Sequence, residues 1–349
     1  MREALLEIAR SGVLAPSADN QHVFRIEMGD SCVRLWPSDE FLANTARHRH
    51  VLGLISLGAT VENMRLRATE FGLVGRAHWL AFSETGPIVQ LDLLPTQNEN
   101  RDGLAAAIPM RRTNRRMYRG PGLSMDEMMR LNSAVTAVEG VQIVWLTGAA
   151  RKRALGLIWR AESERFLRRE LHKEIFSSIR FDLSWHETAD WALPPGSLEI
   201  EPPMRPLFKA LRHWALMRPL TWVGGHHLIG LRAGWFPCWQ APALGLLATS
   251  LPVEQGATAV GAALERLWLS STQMGLAMQP LAASAVLPLQ SSSDKGCSDK
   301  LRSYLAKGWK TICPEHMPLM VFRVGRADLP KVSSGRKSIE DYLMAPKSN

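Results

Sequence analysis

Residues 51–73, VLGLISLGATVENMRLRATEFGL, decide the fold, because residues 258–276, TAVGAALERLWLSSTQMGL, repeat them. In the first stretch Leu54, Leu57, Val61, Met64, Ala68 and Phe71 step by three and four, which puts them on one face of a helix. Gly72 stands where a left-handed C-terminal glycine ends such a helix. In the second, Val260, Leu264, Leu267, Ser271 and Met274 make the same stripe. The two align without gaps: Gly58-Ala59 with Gly261-Ala262, Glu62 with Glu265, Leu66 with Leu269, Thr69 with Thr272, and Gly72-Leu73 with Gly275-Leu276. Any two helices share alanine, leucine and glycine by chance. The shared glutamate, threonine and glycine boundaries point instead to an internal duplication.

The flanks of the two helices agree in outline. A short helix (Ala4 to Ala9), a loop and a strand, HVFRIEM, precede the first. A helix from Met125 to Val138, then Gly140 and the strand VQIVWL, precede the second. Further strands, PIVQLDLL and PLMVFRVG, close the pattern. Helix, strand, long helix and strand, twice over, predict an α+β fold of two pseudo-equivalent halves, residues 1–105 and 106–349. The second half carries an insertion at about 180–252, rich in proline and glycine, with Trp185, Trp191, Trp214, Trp222, Trp235 and Trp239. Tryptophans on irregular backbone plug a core or cover a pocket for something flat. Their clustering in one insertion favours a lid.

Composition sets wide bounds. The chain has 349 residues, 46% hydrophobic and 21% charged, with a formal net charge of +9; this fits a soluble globular protein with an anionic partner. Cys32, Cys238, Cys297 and Cys313 lack the C-x-x-C spacing of a zinc ribbon, and they suit a reducing, cytoplasmic setting. The opening, MREALLEIARSG, carries four charged side chains and is no apolar export signal. Residues 233–253, AGWFPCWQAPALGLLATSLPV, are uncharged and long enough to span a bilayer, but Pro237, Pro242 and Pro252 break the helix that lipid requires. A buried or cofactor-covering loop is expected there, and no stable membrane insertion. His48 and His50 lie between Arg47 and Arg49, and His226 adjoins His227; these read as surface or turn histidines, and no metal site is expected.

The stretch RRTNRRMYRG, 111–120, holds five arginines in ten positions. Basic residues are not sustained along a helix face and no reading module is visible, so nucleic acid is not the expected partner. The cluster precedes a helix start in which Ser124 and Glu127 can form a capping box. Forked guanidinium donors with the Thr113 hydroxyl between them match the oxygens of one terminal phosphate. A solvated charge run is the plainer alternative. A second unusual stretch, VLAPSADNQHVFRIE (13–27), holds Ser17, Asp19 and Asn20, which by themselves are turn residues.

Together the two stretches resemble the nitroreductase superfamily of FMN proteins. Arg111-Arg112-Thr113-Asn114-Arg115 is similar to the family's phosphate-binding R-R-S-x-R, and Ala15-Pro16-Ser17-Ala18-Asp19-Asn20 to its flavin-side A-P-S-x-x-N loop. After Asn20 the chain departs: Gln21-His22-Val23-Phe24 is one residue shorter than the family's run and lacks its proline and tryptophan. The run from Gly275 through Pro280 and Leu281 to Ala282 is similar to the segment that presents backbone to the flavin ring, although Ala282 stands where some members carry glutamate. The ending SSGRKSIEDYL looks like the basic tail that closes over the phosphate, with Arg336 first and Lys337 next. The A-P-S loop lies in the first half and the other motifs in the second, the order of the Acg-like branch, in which one chain imitates the family's homodimer.

The resemblance implies one FMN. Arg111, Arg112, Thr113, Arg115, Arg336 and Lys337 would bind its phosphate; Pro16, Ser17, Asn20, Gln21, Pro280 and Leu281 would lie near its ring. No side-chain nucleophile is needed, since the flavin brings the redox chemistry. The implied activity is ping-pong reduction of a nitroaromatic or quinone, a small aromatic electron acceptor, by NAD(P)H. The alternative is an FMN-sequestering protein whose insertion keeps the flavin covered. A monomer, or at most a weak dimer, is expected.

Overall fold

The computed structural model describes residues 1–43, 46–80, 83–97, 101–291, 294 and 296–345. The chain opens with helix α1 (Arg2–Val13), longer at both ends than expected, followed by the loop at 14–23. Strands β1 (Phe24–Met28) and β2 (Cys32–Pro37) form an antiparallel hairpin that pairs Ile26 with Leu35. A one-turn helix, α2 (Asp39–Ala43), leads into the long helix α3 (Arg47–Thr69). Strands β3 (Leu73–Trp79) and β4 (Val89–Pro95) complete the sheet in the order β1-β2-β4-β3, all antiparallel.

The rest of the chain builds a second sheet. Helix α4 (Met125–Thr136) starts at the expected capping box: Glu127 N donates to Ser124 Oγ at 3.1 Å, and Ser124 N donates to the Glu127 carboxylate at 2.7 Å. Strand β5 (Val141–Trp145) is then separated from its partner β6 (Ala243–Thr249) by residues 146–242. That stretch holds α5 (Gly148–Leu167), α6 (Arg169–Ser177), α7 (Arg205–Ala210), α8 (Trp214–Trp222), α9 (Gly225–Gly230) and α10 (Phe236–Gln240), with one π turn at Leu231–Trp235. Helix α11 (Val253–Gln273), β7 (Ala277–Leu281), α12 (Ala283–Val286), α13 (Asp299–Ile312) and β8 (Met317–Gly325) follow. This sheet runs β5-β6-β8-β7 and is again wholly antiparallel.

The α+β class holds, and both sheets take their strands in the order first, second, fourth, third, with the long helix between the second and third. Helices α3 and α11 pack directly on each other. A Cβ built on Gly58 would lie 2.0 Å from the Thr258 carbonyl oxygen, and one on Gly261 would lie 2.0 Å from that of Ile55. Positions 58 and 261, and 55 and 258, are each 203 residues apart, so the two contacts exchange under the offset that aligns the sequences. Only glycine allows backbones this close. Leu54, Leu57, Val61, Met64 and Ala68 are buried as the stripe requires, as are Val260, Leu264, Leu267 and Ser271; Phe71, beyond the helix end, is exposed.

Three expectations are corrected. Residues 233–253 are not a covering loop. They contain the π turn, α10 and the buried strand β6, with Pro242 just before that strand and Pro252 after it. The insertion therefore does not run to 252, because β6 is a sheet strand hydrogen-bonded to both β5 and β8. Its backbone is also mostly helical between 205 and 240, where irregular chain was expected.

Candidate functional site

Ten of the twelve sequence-predicted residues line one cavity of about 650 Å³: Pro16, Ser17, Asn20, Arg111, Arg112, Thr113, Arg115, Pro280, Leu281 and Arg336. Gln21 and Lys337 do not line it; Gln21 lies just past the Ala18–Asn20 turn, its N–H donating to the Ala18 carbonyl at 3.0 Å, and the Lys337 ammonium stands 5.8 Å from the Trp191 ring. The cavity has three walls. Helix α3 gives His48, Arg49, Leu52, Ile55, Ser56 and Ala59; α11 and β7 give Leu264, Trp268, Gln279, Pro280 and Leu281; α6 and the insertion give an apolar side that includes Ile175 from α6 and Leu198, Leu207, Phe208 and Ile229 from the insertion. Its volume suits a small-molecule or cofactor site, for which about 300–1,000 Å³ is usual.

The loop after α1 is held in a costly shape. Asp19 and Asn20 both have positive φ, 56° and 60°, a region side-chain-bearing residues seldom occupy, though asparagine and aspartate tolerate it best. Partners on three sides fix it. Asp19 pairs with Arg49 at 2.7 Å; Asn20 Nδ2 donates to the Ala192 carbonyl at 3.0 Å and receives the Ala192 N–H on its own carbonyl at 3.2 Å. Arg336 donates through Nε and Nη2 to the Ala15 carbonyl, at 3.3 and 2.8 Å, and through Nη1 to Asn20 Oδ1 and the Gly335 carbonyl. The C-terminal segment thus ties down the loop after α1, a contact the sequence reading did not anticipate.

The guanidinium groups form a cationic cluster with few counter-charges. Arg111 donates to the Leu14 carbonyl at 3.3 Å, lies 4.5 Å over the Trp268 ring, and has its Nε 3.6 Å from a Glu265 oxygen. Arg115 donates to the Ser197 carbonyl at 3.2 Å, and exposed Arg112 to the carbonyls of Pro109 and Arg111. Burial depresses the Arg111 and Arg115 guanidinium groups, and burial followed by repulsion from Arg111 brings Arg336 down to about 9. Glu265 is the counter-ion of Arg111, yet burial outweighs that arginine and pushes its carboxyl up to about 7. Among the described residues the Nε of Arg111 has no hydrogen-bond partner, and beside Arg111 the Glu265 carboxyl has the Asn63 amide. Such a cluster is electrostatically incomplete, and an anion with several acceptor oxygens would complete it.

Two sets of residues escaped the sequence reading. His48 is not a surface histidine: it is buried in the first turn of α3, with Nε2 at 3.2 Å from the Glu174 carboxylate and Nδ1 at 2.6 Å from Gln290 Nε2. His226 is buried too, and His50 stacks on Phe41 at 5.1 Å. The flanking arginines suggested solvent, whereas Arg49 points to Asp19 and Arg47 to Glu254. Glu265 was visible only as the acid repeated from Glu62, which is itself buried and holds Arg266 at 2.7 Å. None of the six insertion tryptophans lines the cavity. Trp235 and Trp239 stack on each other at 5.6 Å, Trp185 takes Arg205 at 4.9 Å and Trp222 takes Arg218 at 5.5 Å, so these rings serve cations and one another. Among the described residues no three metal-ligating side chains gather at one point, and no helix is long and apolar enough to cross a membrane.

No protein-family model matches this chain, and no curated protein matches it. Solved structures do. One is the FMN-dependent nitroreductase NfnB of Mycobacterium smegmatis in complex with NADPH, at 18% identity over 69% of this chain and 96% of that one, TM-score 0.39. Another is a nitroreductase with bound FMN from Bacteroides fragilis, at 12% identity over 71% and 98%, TM-score 0.36. A nitroreductase-like family protein from Bacillus cereus has 11% identity over 71% and 98%, TM-score 0.36. The chain is similar in structure to proteins of the nitroreductase-like family.

Proposed function

We propose that the chain is an FMN-dependent oxidoreductase of nitroreductase type, in which NAD(P)H and then a nitroaromatic or quinone use one site in turn. The observation that carries this reading is the meeting, on one cavity, of the buried guanidinium group of Arg111 and the partly buried ones of Arg115 and Arg336 with the strained Ser17–Asn20 loop and the end of β7. FMN, when bound, supplies the hydride and electron chemistry. The chain's own residues hold and orient it: Arg111, Arg112, Thr113, Arg115 and Arg336 take the phosphate, while Ser17, Asn20 and the backbone at Pro280 and Leu281 border the ring. Residues 1–105 and 106–349 are read as two halves of one duplicated unit, each giving its share of a single site. The matching strand orders and the exchanged glycine contacts support this. A monomer follows from it, and the four buried free thiols suit a reducing, cytoplasmic setting.

A covered, sequestering site is the second reading. The paired bonds between Asn20 and Ala192, which tie the insertion to the loop, favour it, and Ala282 leaves no acid there. Purified protein separates the two. Flavin absorption that bleaches under anaerobic NADH or NADPH and returns with a quinone supports the oxidoreductase; flavin that never bleaches supports sequestration. A colourless protein that takes up no added FMN ends both readings.

A further inference from the structure

We propose that residues 202–240 form a face that docks on an anionic lipid bilayer. Between Glu201 and Glu254 the sequence has no acidic residue, but it has Arg205, Lys209, Arg212, Arg218 and Arg232. Arg232 is paired with Glu201; the other four have no carboxylate partner among the described residues. The same segment exposes large apolar side chains: Trp222 is 74% exposed, Val223 80% and Leu228 70%, with Met204, Leu207 and Leu216 exposed as well. Single exposed hydrophobic residues are ordinary, but a run of them among unopposed cations is not.

Charge selects the occupant. A second copy of the chain would bring the same cations against one another, whereas anionic headgroups oppose them and the hydrocarbon boundary takes the apolar tips. Trp222, with Arg218 5.5 Å over its ring, pairs an interface-seeking aromatic with a cation that reaches headgroups. Helices α7 and α8, of six and nine residues, are too short to span, so the contact is peripheral. Met204, Leu207 and Leu228 are both exposed and part of the cavity lining, so the docked face opens the cavity toward the bilayer. An apolar molecule then enters without crossing bulk water. The docking face does not depend on the proposed cofactor.

The test is sedimentation of the full chain with vesicles of equal parts phosphatidylglycerol and phosphatidylcholine, and with phosphatidylcholine alone. Binding is expected to the anionic vesicles only. Trp222→Ser with Val223→Ser is expected to weaken it about tenfold, and Arg212→Glu with Arg218→Glu by at least about fivefold for each charge removed. These four side chains do not line the cavity, so melting temperature and oligomeric state of both variants should match the parent. Absence of vesicle binding overturns the proposal, and so does binding that both variants retain. Loss of a protein dimer in the apolar variant, with no dependence on lipid, assigns the face to self-association and overturns it equally.

Discussion

Arg336 has five hydrogen-bond donors, and its four bonds to Ala15, Asn20 and Gly335 leave one Nη2 hydrogen for an anion. Replacing it removes a charged donor and releases the loop, so Arg336→Ala is expected to weaken FMN binding by about 1.5–3 kcal/mol, a ten- to hundredfold loss. Arg336→Lys keeps the charge without the fork and should recover part of it. Fluorescence titration measures this, and unchanged affinity in the alanine variant would remove Arg336 from the site. Glu265 gives a pH signature. Its folded value of about 7, raised by burial, stands above the ordinary 4.5, so the folded chain holds a proton that the unfolded chain releases. Its contribution to stability is complete below about pH 4.5 and is lost as pH rises through 7. Melting temperatures of FMN-free protein should fall more steeply over that window in the parent than in Glu265→Gln. Parallel slopes would contradict the assignment. The sequence marked the arginines by their density; it hid His48, because a histidine between arginines reads as solvent-facing, and it showed Glu265 only as the repeat of Glu62, with no sign that it meets Arg111.

At the scale of elements, the crossing of α3 and α11 is the joint on which the cavity is built, since both helices line it. Gly58→Val and Gly261→Val each put carbons onto a facing carbonyl that cannot swing aside. Each should destabilise the chain by about 1–3 kcal/mol or more, by similar amounts because the two contacts exchange. Urea unfolding measures it, and tolerance of one substitution but not the other would break the equivalence. These helices were legible because their pattern occurs twice. Strand β6 was not, since ALGLLAT is apolar on both faces and shows no alternation. Helix α5 was unread for the opposite reason: its buried positions include Glu162, Ser163 and Glu164, so its inner side looks polar.

For the whole molecule, two sheets of equal strand order, one helical insertion and a cavity lie within one chain, and the proposed duplication implies that no second chain is needed. Sedimentation velocity in the absence of lipid should give a monomer of 38.9 kDa. A tight dimer would mean that the interface supposed to lie within the chain also lies between chains. The insertion was legible as a place but not as a shape, because tryptophan and proline density says little about helices stabilised by a small core of Phe166, Phe176, Phe181 and Met217. The central claim is a single flavin site composed from both halves. Its most direct measure is the flavin released by acid from purified protein, counted against the chain: the account predicts one FMN per chain, with none retained when Arg111 and Arg336 are both changed to alanine. A ratio of one flavin to two chains, or no flavin even after incubation with FMN, would contradict it.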